Sequence, residues 1–203
     1  MRSGALVRII SPHTQKHNRR EAFGDVPARD VLVLSEMVQA EEETDALAHM
    51  RYGLAAMRLG MGSFGATARS RLFTTSWPVK HVNDIHADDK ADLTIEACVQ
   101  RASEGAFKAD GIGPRRDGKL GTIMASRQPT EIKKLRADGT GGPVDLDVRD
   151  VELAMGFDLD DTAAEGVSDD DRMRMLGNSI PVRALQHIFR ALVECKWLPL
   201  KRA

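Results

Sequence analysis

Six residues of the sequence match a phosphate-binding pattern. Gly60-Met61-Gly62-Ser63-Phe64-Gly65 fits G-x-G-x-x-G letter for letter. That pattern binds a pyrophosphate when its glycines follow a strand and open a helix, because the backbone N–H groups and the helix dipole then face the phosphates. Here apolar residues at helical spacing, from Leu47 to Met57, precede the glycines, and a strand-like segment follows them. The order is reversed, so we expect the glycines to end a helix and turn the chain rather than bind a nucleotide.

A basic, glycine-containing stretch offers a second kind of chemistry, contact with nucleic-acid phosphates. Residues 101–136 hold nine basic and four acidic residues, whereas residues 137–171 hold twelve acidic residues and one arginine. The segment GIGPRRDGKLG suits a loop that follows a phosphate backbone, but a solvated loop without a partner explains the same charges. The candidate phosphate-contacting residues are Arg115, Arg116, Lys119, Arg127, Lys133 and Lys134.

Composition limits the class of protein. With 203 residues, 42% hydrophobic and 29% charged, the sequence predicts one soluble globular domain with room for a small inserted subdomain. A formal net charge of −1 argues against a general polyanion binder. Cys98 and Cys195 are the only cysteines, too few for a disulfide framework or a zinc cluster, so we predict no metal site. The N-terminal residues contain no long apolar stretch, so we expect neither a signal peptide nor a membrane span.

The pattern of apolar runs predicts an α/β fold. Leu6–Ile10, Val31–Leu34 and Arg71–Thr75 resemble buried strands. The helix expected before Gly60 would connect the second and third strands as a parallel strand–helix–strand unit. The region 77–143 is rich in glycine, proline and charge, which indicates a small, loop-rich subdomain that ends at GTGGP.

Helices are expected in ADLTIEACVQRA, VRDVELAM and DDDRMRML, and again after Pro181. Asp147 and Gly156 stand where they would cap the two ends of the second helix. Ser168, with Asp171 three residues later, resembles a capping box for the third. In the first helix Leu93, Ala97 and Val99 are expected to face inward.

Separated pieces of the sequence resemble, in the same order, motifs of the cytosine-5 DNA methyltransferases. Met155-Gly156-Phe157 and Leu176–Val182 (LGNSIPV) are similar to the family's closing motifs, and the stretch between them looks most like the animal de novo branch. Phe64–Phe73 (FGATARSRLF) resembles Y-G-x-P-Q-x-R-x-R-x-F without its Pro-Gln pair. Leu34–Val38 (LSEMV) stands where the family has F-E-N-V. The resemblance covers roughly residues 31–193.

This resemblance implies a partial class I, Rossmann-like methyltransferase sheet with an inserted, loop-rich target-recognition subdomain. Residues 1–76 would be the C-terminal half of the methyltransferase core, 77–143 the target-recognition subdomain, and 144–203 the closing helices of the core. It also implies S-adenosylmethionine as the methyl donor and double-stranded DNA as the substrate. The target base must be flipped out of the duplex, and the 77–143 region would read base edges while its basic residues hold phosphates.

The resemblance also assigns roles to single residues. Attack of a thiolate at C6 of cytosine builds charge on the ring, which calls for a carboxylic acid at N3 and a cation at O2. By resemblance Glu36 is the N3 partner, Arg71 is the O2 partner and Arg69 braces the site. Asn178 and Ser179 would pack beside the methyl-donor pocket. The alternatives are a solvated Glu36, arginines that face solvent or form an ion pair, and Asn178 and Ser179 that only cap the closing helix.

The cysteine that this chemistry needs is missing from its expected place. In the family it lies in a Pro-Cys loop after a strand, whereas here Ser11-Pro12 is followed by His13 and Thr14. A threonine hydroxyl cannot replace a thiolate without a strong base beside it. The family's glycine-rich start, F-x-G-x-G, is also absent. We therefore expect that the chain does not transfer a methyl group alone.

Three hypotheses stay open. The chain is the target-recognition part of a split methyltransferase, in which another chain supplies the cysteine and the donor pocket, so that S-adenosylmethionine binds only in the complex. Alternatively it is a non-catalytic, DNA-binding or regulatory pseudoenzyme, or else a truncated gene product. Maintenance, restriction-modification and phage self-protection all stay open, and we expect a bacterial or phage-encoded protein in the cytoplasm, associated with the nucleoid.

Overall fold

The computed structural model describes residues 6–10, 31–38, 55–68, 70–75, 77, 93–110, 118–121 and 132–194. The chain forms two compact units. The first comprises residues 1–59, 70–85 and 187–203, and the second comprises 60–69 and 86–186.

A four-stranded sheet organises the first unit. Its strands are β1 (Leu6–Ile10), β2 (Val31–Val38), β3 (Ala55–Gly60) and β4 (Ser70–Thr75), in the order β1-β2-β4-β3. β1 and β2 are parallel, but β2 and β4 are antiparallel. The predicted parallel arrangement of β2 and β4 is therefore wrong. Between them the chain forms β3 at the edge of the sheet, and β4 then lies between β3 and β2.

A strand, and not the expected helix, precedes the glycine-rich segment. Met57 and Leu59 are buried whereas Arg58 and Gly60 are exposed, and this alternation is typical of a half-buried strand. A helix before the glycines was our reason to expect no nucleotide binding at this segment, and that expected order of elements is wrong. The part of the predicted helix before Ala55 lies outside the described residues.

The glycine-rich segment is nevertheless packed rather than open. A single 3-10 turn follows β3 at Met61–Ser63, and the side chains of Met61 and Phe64 are fully buried. A Cβ atom on Gly65 would lie 2.7 Å from the carbonyl oxygen of Ala154, and the N–H of Ala66 donates to that same oxygen over 3.0 Å. Glycine is therefore required at position 65 by the close approach of another backbone.

The described part of the second unit contains three helices and a small antiparallel sheet. The helices are α1 (Ile95–Ala102), α2 (Val148–Met155) and α3 (Asp169–Asn178). The strands are β5 (Phe107–Asp110), β6 (Lys133–Arg136) and β7 (Val144–Asp145), in that spatial order. A fourth helix, α4 (Val182–Glu194), begins in the second unit and ends in the first.

The GTGGP segment is a hairpin turn and not a boundary. β6 and β7 pair across it, with Lys133 opposite Asp145, and Gly139 and Gly141 adopt positive φ angles of 77° and 76°. Glycine adopts this left-handed conformation without the steric penalty that a Cβ atom imposes. The chain therefore continues from the sheet directly into α2.

The predicted helix caps are confirmed. The Asp147 side chain accepts hydrogen bonds from the N–H groups of Arg149 and Asp150, and Gly156 ends α2 at a φ of 81°. The Ser168 hydroxyl accepts a hydrogen bond from the N–H of Asp171 at the start of α3. Local hydrogen bonding of this kind stabilises a helix end by about 1 kcal/mol.

One apolar core joins segments on both sides of residue 143. It includes Ile95 and Val99 of α1, Ile132, Val151 of α2 and Leu176 of α3. The division expected at 143/144 thus crosses a continuous core, and the functional assignment of the three segments stays a prediction. Ala97 is exposed, contrary to expectation, because Ile95, Cys98, Val99 and Ala102 form the buried face of α1.

No helix in the described ranges is both long enough and apolar enough to cross a membrane.

We expect Gly65→Ala to destabilise the protein by about 2 kcal/mol, since the new methyl group would overlap the Ala154 carbonyl and force a backbone shift. Urea unfolding followed by circular dichroism measures the change. Gly142→Ala is the matched control, because a Cβ at position 142 would meet no heavy atom within 4 Å. Equal stabilities of the two variants would contradict the packing role of Gly65.

Candidate active site

Register in the first sheet brings Glu36 and Arg71 together. Glu36 of β2 lies opposite Phe73 of β4, and Val38 lies opposite Arg71. Glu36 and Arg71 are therefore diagonal neighbours on one face of the sheet, a separation that long side chains bridge. Nε of Arg71 lies 2.6 Å from Oε1 of Glu36.

This carboxylate–guanidinium pair is partly shielded from water. The side chain of Arg71 is 11% exposed and that of Glu36 is 24% exposed. A carboxylate accepts hydrogen bonds, and a guanidinium donates them to an adjacent acceptor. The pair can thus address two neighbouring polar atoms of one planar ring. The same geometry also fits a purely structural ion pair, the alternative that the sequence left open.

The strand that carries Arg71 is anchored at its far end by an aromatic residue. Trp77 is buried, its indole N–H donates to the carbonyl of Ile188 over 3.1 Å, and its ring stacks on Phe189 at 6.1 Å between centroids. The hydroxyl of Thr75 donates to the carbonyl of Trp77 over 2.6 Å. The sequence placed Trp77 at the start of the loop-rich subdomain, whereas it belongs to the unit that holds β4.

The other residues predicted for this chemistry are not assembled with the pair by any described contact. Arg69 lies outside the described residues. Asn178 is the last residue of α3 and is exposed. Ser179 follows it, and both its hydroxyl and its N–H donate to the carbonyl of Leu176, over 2.8 and 3.1 Å. Ser179 therefore ends α3, whereas the alternative had Asn178 and Ser179 cap the closing helix, which begins at Val182.

The structure separates the predicted DNA-contacting residues into groups. Arg115, Arg116 and Arg127 lie outside the described residues. Lys119 is buried, and its ammonium donates to the carbonyl of Leu93. Lys133 forms an ion pair with Asp145 across the β6–β7 pair. These engaged lysines offer less to a phosphate than the sequence suggested.

Lys134 is a structural cation. Its side chain is 7% exposed, and its ammonium contacts Oδ2 of Asp147 at 2.5 Å and Oδ2 of Asp150 at 2.9 Å. It also lies over the ring of Phe107, 5.2 Å from the centroid. Burial alone would lower the pKa of Lys134, but hydrogen bonds to the two carboxylates outweigh burial and raise it. The side chain therefore joins β6 to the start of α2 and is not available to DNA.

The described cysteine is not a nucleophile. Cys98 is buried in the core of the second unit. Burial, reinforced by the negative charge of Asp150, raises the pKa of Cys98 to about 11, so its thiol stays protonated at neutral pH. Cys195 lies outside the described residues.

A second buried ion pair, which the sequence did not reveal, ties α2 to α3. Glu152 is fully buried, and Nη2 of Arg172 lies 3.0 Å from its Oε1. Glu152 also accepts hydrogen bonds from the N–H groups of Asp160 and Thr162, over 2.8 and 3.0 Å. Burial acts to raise the pKa of Glu152, but hydrogen bonds from Thr162, Arg172 and Asp160 prevail and lower it. No described group of three or more His, Cys, Asp or Glu side chains is arranged to hold a metal ion.

Comparison with solved structures shows the fold. The chain superimposes on the S. pombe Dnmt2 methyltransferase with a TM-score of 0.56 at 16% identity, covering 82% of this chain and 68% of that one. It superimposes on the Entamoeba histolytica methyltransferase EhMeth with a TM-score of 0.51 at 13% identity, covering 94% and 77%. No protein-family model and no curated protein sequence matches the chain. The fold is thus methyltransferase-like, which confirms the predicted α/β class and, at the level of fold, the resemblance noted from the motifs.

The Asp147–Lys134 contact makes a testable contribution to stability. Hydrogen bonds from Lys134 and from backbone N–H groups outweigh burial and hold the pKa of Asp147 below its ordinary value of 3.8. A carboxyl group with a lowered folded pKa contributes stability above its ordinary pKa, and that contribution is lost as the pH decreases through the folded value. Asn caps a helix about as well as Asp, so Asp147→Asn removes the charge and keeps the cap.

We expect Asp147→Asn to lower the free energy of unfolding by about 1 kcal/mol at pH 7 and the difference from wild type to shrink as the pH decreases below 3.8. Asp150 has the opposite effect on the pH dependence: burial raises its pKa, so its contribution to the free energy of unfolding is lost as the pH rises. Chemical denaturation of wild type and Asp147→Asn at several pH values measures the free energies of unfolding and their difference. A difference that stays constant down to pH 2.5 would contradict the ionic role of Asp147.

Proposed function

We propose that this chain is the target-recognition and base-activating part of an S-adenosylmethionine-dependent DNA (cytosine-5)-methyltransferase. It is inactive alone and is completed by another chain that carries the catalytic cysteine and most of the donor pocket. The proposal rests on the methyltransferase-like fold together with the motif resemblance. Cys98, the described cysteine, is buried and protonated, which supports an external source for the thiolate.

The single observation that carries the proposal is the pairing of Glu36 with Arg71. These are the two residues that the resemblance assigns to N3 and O2 of cytosine, and their charged atoms lie 2.6 Å apart. N3 and O2 belong to adjacent ring positions, so groups that activate them must converge in this way. When the flipped base enters, Arg71 would turn its N–H groups from Glu36 to O2 and stabilise the charge that develops on the ring, and Glu36, after taking up a proton from water, would donate it to N3.

In this proposal the chain provides only one part of the binding site for the methyl donor. Asn178 presents an exposed side chain at the end of α3, which suits one wall of a donor pocket. Ser179 holds the turn beside it through its bonds to Leu176. The glycine-rich turn at 60–65 is filled by Met61 and Phe64, so it does not cradle the donor. When bound by both chains, S-adenosylmethionine would supply the methyl group that C5 of the base accepts.

DNA contact is assigned to Arg115, Arg116 and Arg127 of the 77–143 region, and not to Lys133, which is paired with Asp145. Lys119 and Lys134 are left out, because one is buried against a backbone carbonyl and the other is held by two aspartates. The proposed contacts position the duplex through its phosphates, and base readout is a separate task of the same region. The natural setting of the complex would be the bacterial or phage-infected cytoplasm.

Methylation by the reconstituted pair tests the function. We expect bisulfite sequencing of DNA from a methylation-free host to show cytosine methylation only when this chain is expressed together with the chain from the adjacent reading frame. Glu36→Gln should reduce the methylation rate by about 10²- to 10⁴-fold, since the amide cannot donate a carboxylic proton. Arg58→Lys, an exposed conservative change on β3, should stay within about twofold of wild type.

Other results would redirect the assignment. Methylation by this chain alone would contradict the need for an external cysteine. If the pair of chains still methylates DNA at the wild-type rate with Glu36→Gln, the Glu36–Arg71 contact is a structural ion pair without a role in base activation. Absence of methylation with a partner that binds this chain, combined with DNA affinity, would favour the non-catalytic binding module.

The salt dependence of DNA binding tests the assigned contacts. Each phosphate that a basic residue neutralises contributes a slope of about −0.9 to the plot of log K against log salt concentration. We expect the double substitution Arg115→Gln/Arg116→Gln to reduce the magnitude of that slope by about 2. Arg149→Gln, which removes a charge paired with Asp160, should leave the slope unchanged. A slope that does not respond to the double substitution would remove both arginines from the interface.

A further inference from the structure

The segment between α2 and α3 is held by one buried arginine. Arg172 of α3 donates from Nη2 to Glu152 at 3.0 Å and to Asp160 at 3.1 Å, from Nη1 to Asp169 at 3.0 Å, and from Nε to the hydroxyl of Thr162 at 3.0 Å. These four partners come from α2, from the connecting segment and from the start of α3. We call Arg172 with Glu152, Asp160, Thr162 and Asp169 the Arg172 cluster.

The Arg172 cluster determines the path of the connecting segment. Asp160 adopts a left-handed backbone conformation, with a φ of 64°, which is uncommon for a residue with a Cβ atom. The N–H of Asp160 donates to Glu152, and the carboxylate of Asp160 contacts Arg172. Both the backbone and the side chain of Asp160 are therefore held by the Glu152–Arg172 pair. The hydroxyl of Thr162 bridges the same two side chains, donating to Glu152 and accepting from Arg172.

Arg172 also sets the position of the end of α3. It lies less than two helical turns before Asn178, and a helix transmits a displacement along its axis because its backbone is hydrogen-bonded throughout. Arg172 and Met173 are buried, while Arg174 and Met175 are exposed. The buried guanidinium therefore lies on the inward face of α3 and contacts Glu152 of α2.

We propose that Arg172 is a positioning residue: it places Asn178 and the Ser179 turn where they meet the methyl donor. This rests on the proposed function, since only there do Asn178 and Ser179 have a ligand. Arg172 touches neither substrate nor donor and acts through the orientation of α3. The planar guanidinium reaches four acceptors at once, which an ammonium at the same place cannot do.

Hydrogen–deuterium exchange of the chain by itself tests the positioning without any activity. In Arg172→Lys, we expect the N–H groups of Asp160 and Thr162 to exchange at least tenfold faster, because Glu152 is no longer held. The N–H of Ser179, bonded to Leu176, should lose protection as well. Arg174→Lys is the matched control, since Arg174 is exposed on the same helix and pairs with Asp171, outside the Arg172 cluster. It should change none of the three rates.

A kinetic measurement with the reconstituted pair then separates positioning from simple destabilisation. Arg172→Lys should raise the KM for S-adenosylmethionine at least tenfold, with kcat and the DNA Kd within about twofold of wild type. If Arg172→Lys does not fold, Thr162→Val replaces it, because it deletes the bridging hydroxyl and keeps the backbone N–H and the side-chain shape. The same pattern of exchange and KM is expected from that variant.

Two results would overturn the proposal. One is exchange at Ser179 that responds no more to Arg172→Lys or Thr162→Val than to Arg174→Lys. The other is an unchanged donor KM despite faster exchange at Asp160 and Thr162. Failure of the proposed function itself is recognised separately, because the wild-type pair would then show no methylation while the exchange experiment still decides whether Arg172 controls the end of α3.

Discussion

Helix α2 carries two carboxylates into the interior, and the second unit is arranged around neutralising them. Asp150 and Glu152 are both fully buried, and an unpaired buried carboxylate costs several kcal/mol. Each receives one cation from a different element, Lys134 from β6 and Arg172 from α3. The small sheet and the third helix are thereby attached to α2 at particular points, whereas apolar packing alone would allow them to slide.

This arrangement changes the meaning of the charge segregation along the chain. The basic run at 101–136 and the acidic run at 137–171 look like two surfaces, one for phosphates and one for solvent. In the folded unit several of their members face each other, as in the contacts of Lys133 with Asp145 and of Arg136 with Asp138. Part of the basic run is therefore neutralised within the protein, so the sum of its charges overstates the positive charge that these described residues present to solvent.

Features set by nearby residues could be predicted, and features set by distant ones could not. The caps at Asp147 and Gly156 depend on hydrogen bonds within a few residues, so the sequence predicts them. The strand at Ala55–Gly60 was mistaken for a helix because Met57 fits a helical repeat as well as an alternating one. The partner of Glu152 lies twenty residues away on another helix, and no local pattern indicates it. Glu36 and Arg71 were singled out by motif resemblance, and only the strand register explains why they meet.

The turn between β6 and β7 belongs to the exposed surface and adds no residue to the core of the second unit. Residues 137–143 are all exposed, and the left-handed glycines 139 and 141 close the hairpin without any side chain in the core. None of these residues belongs to the core that surrounds α2, so insertions, deletions and changes of sequence at this tip should be better tolerated than changes at the two buried carboxylates. A lineage could therefore remodel this outer surface freely, acquiring new contacts by drift in one short loop while the scaffold beneath stays the same.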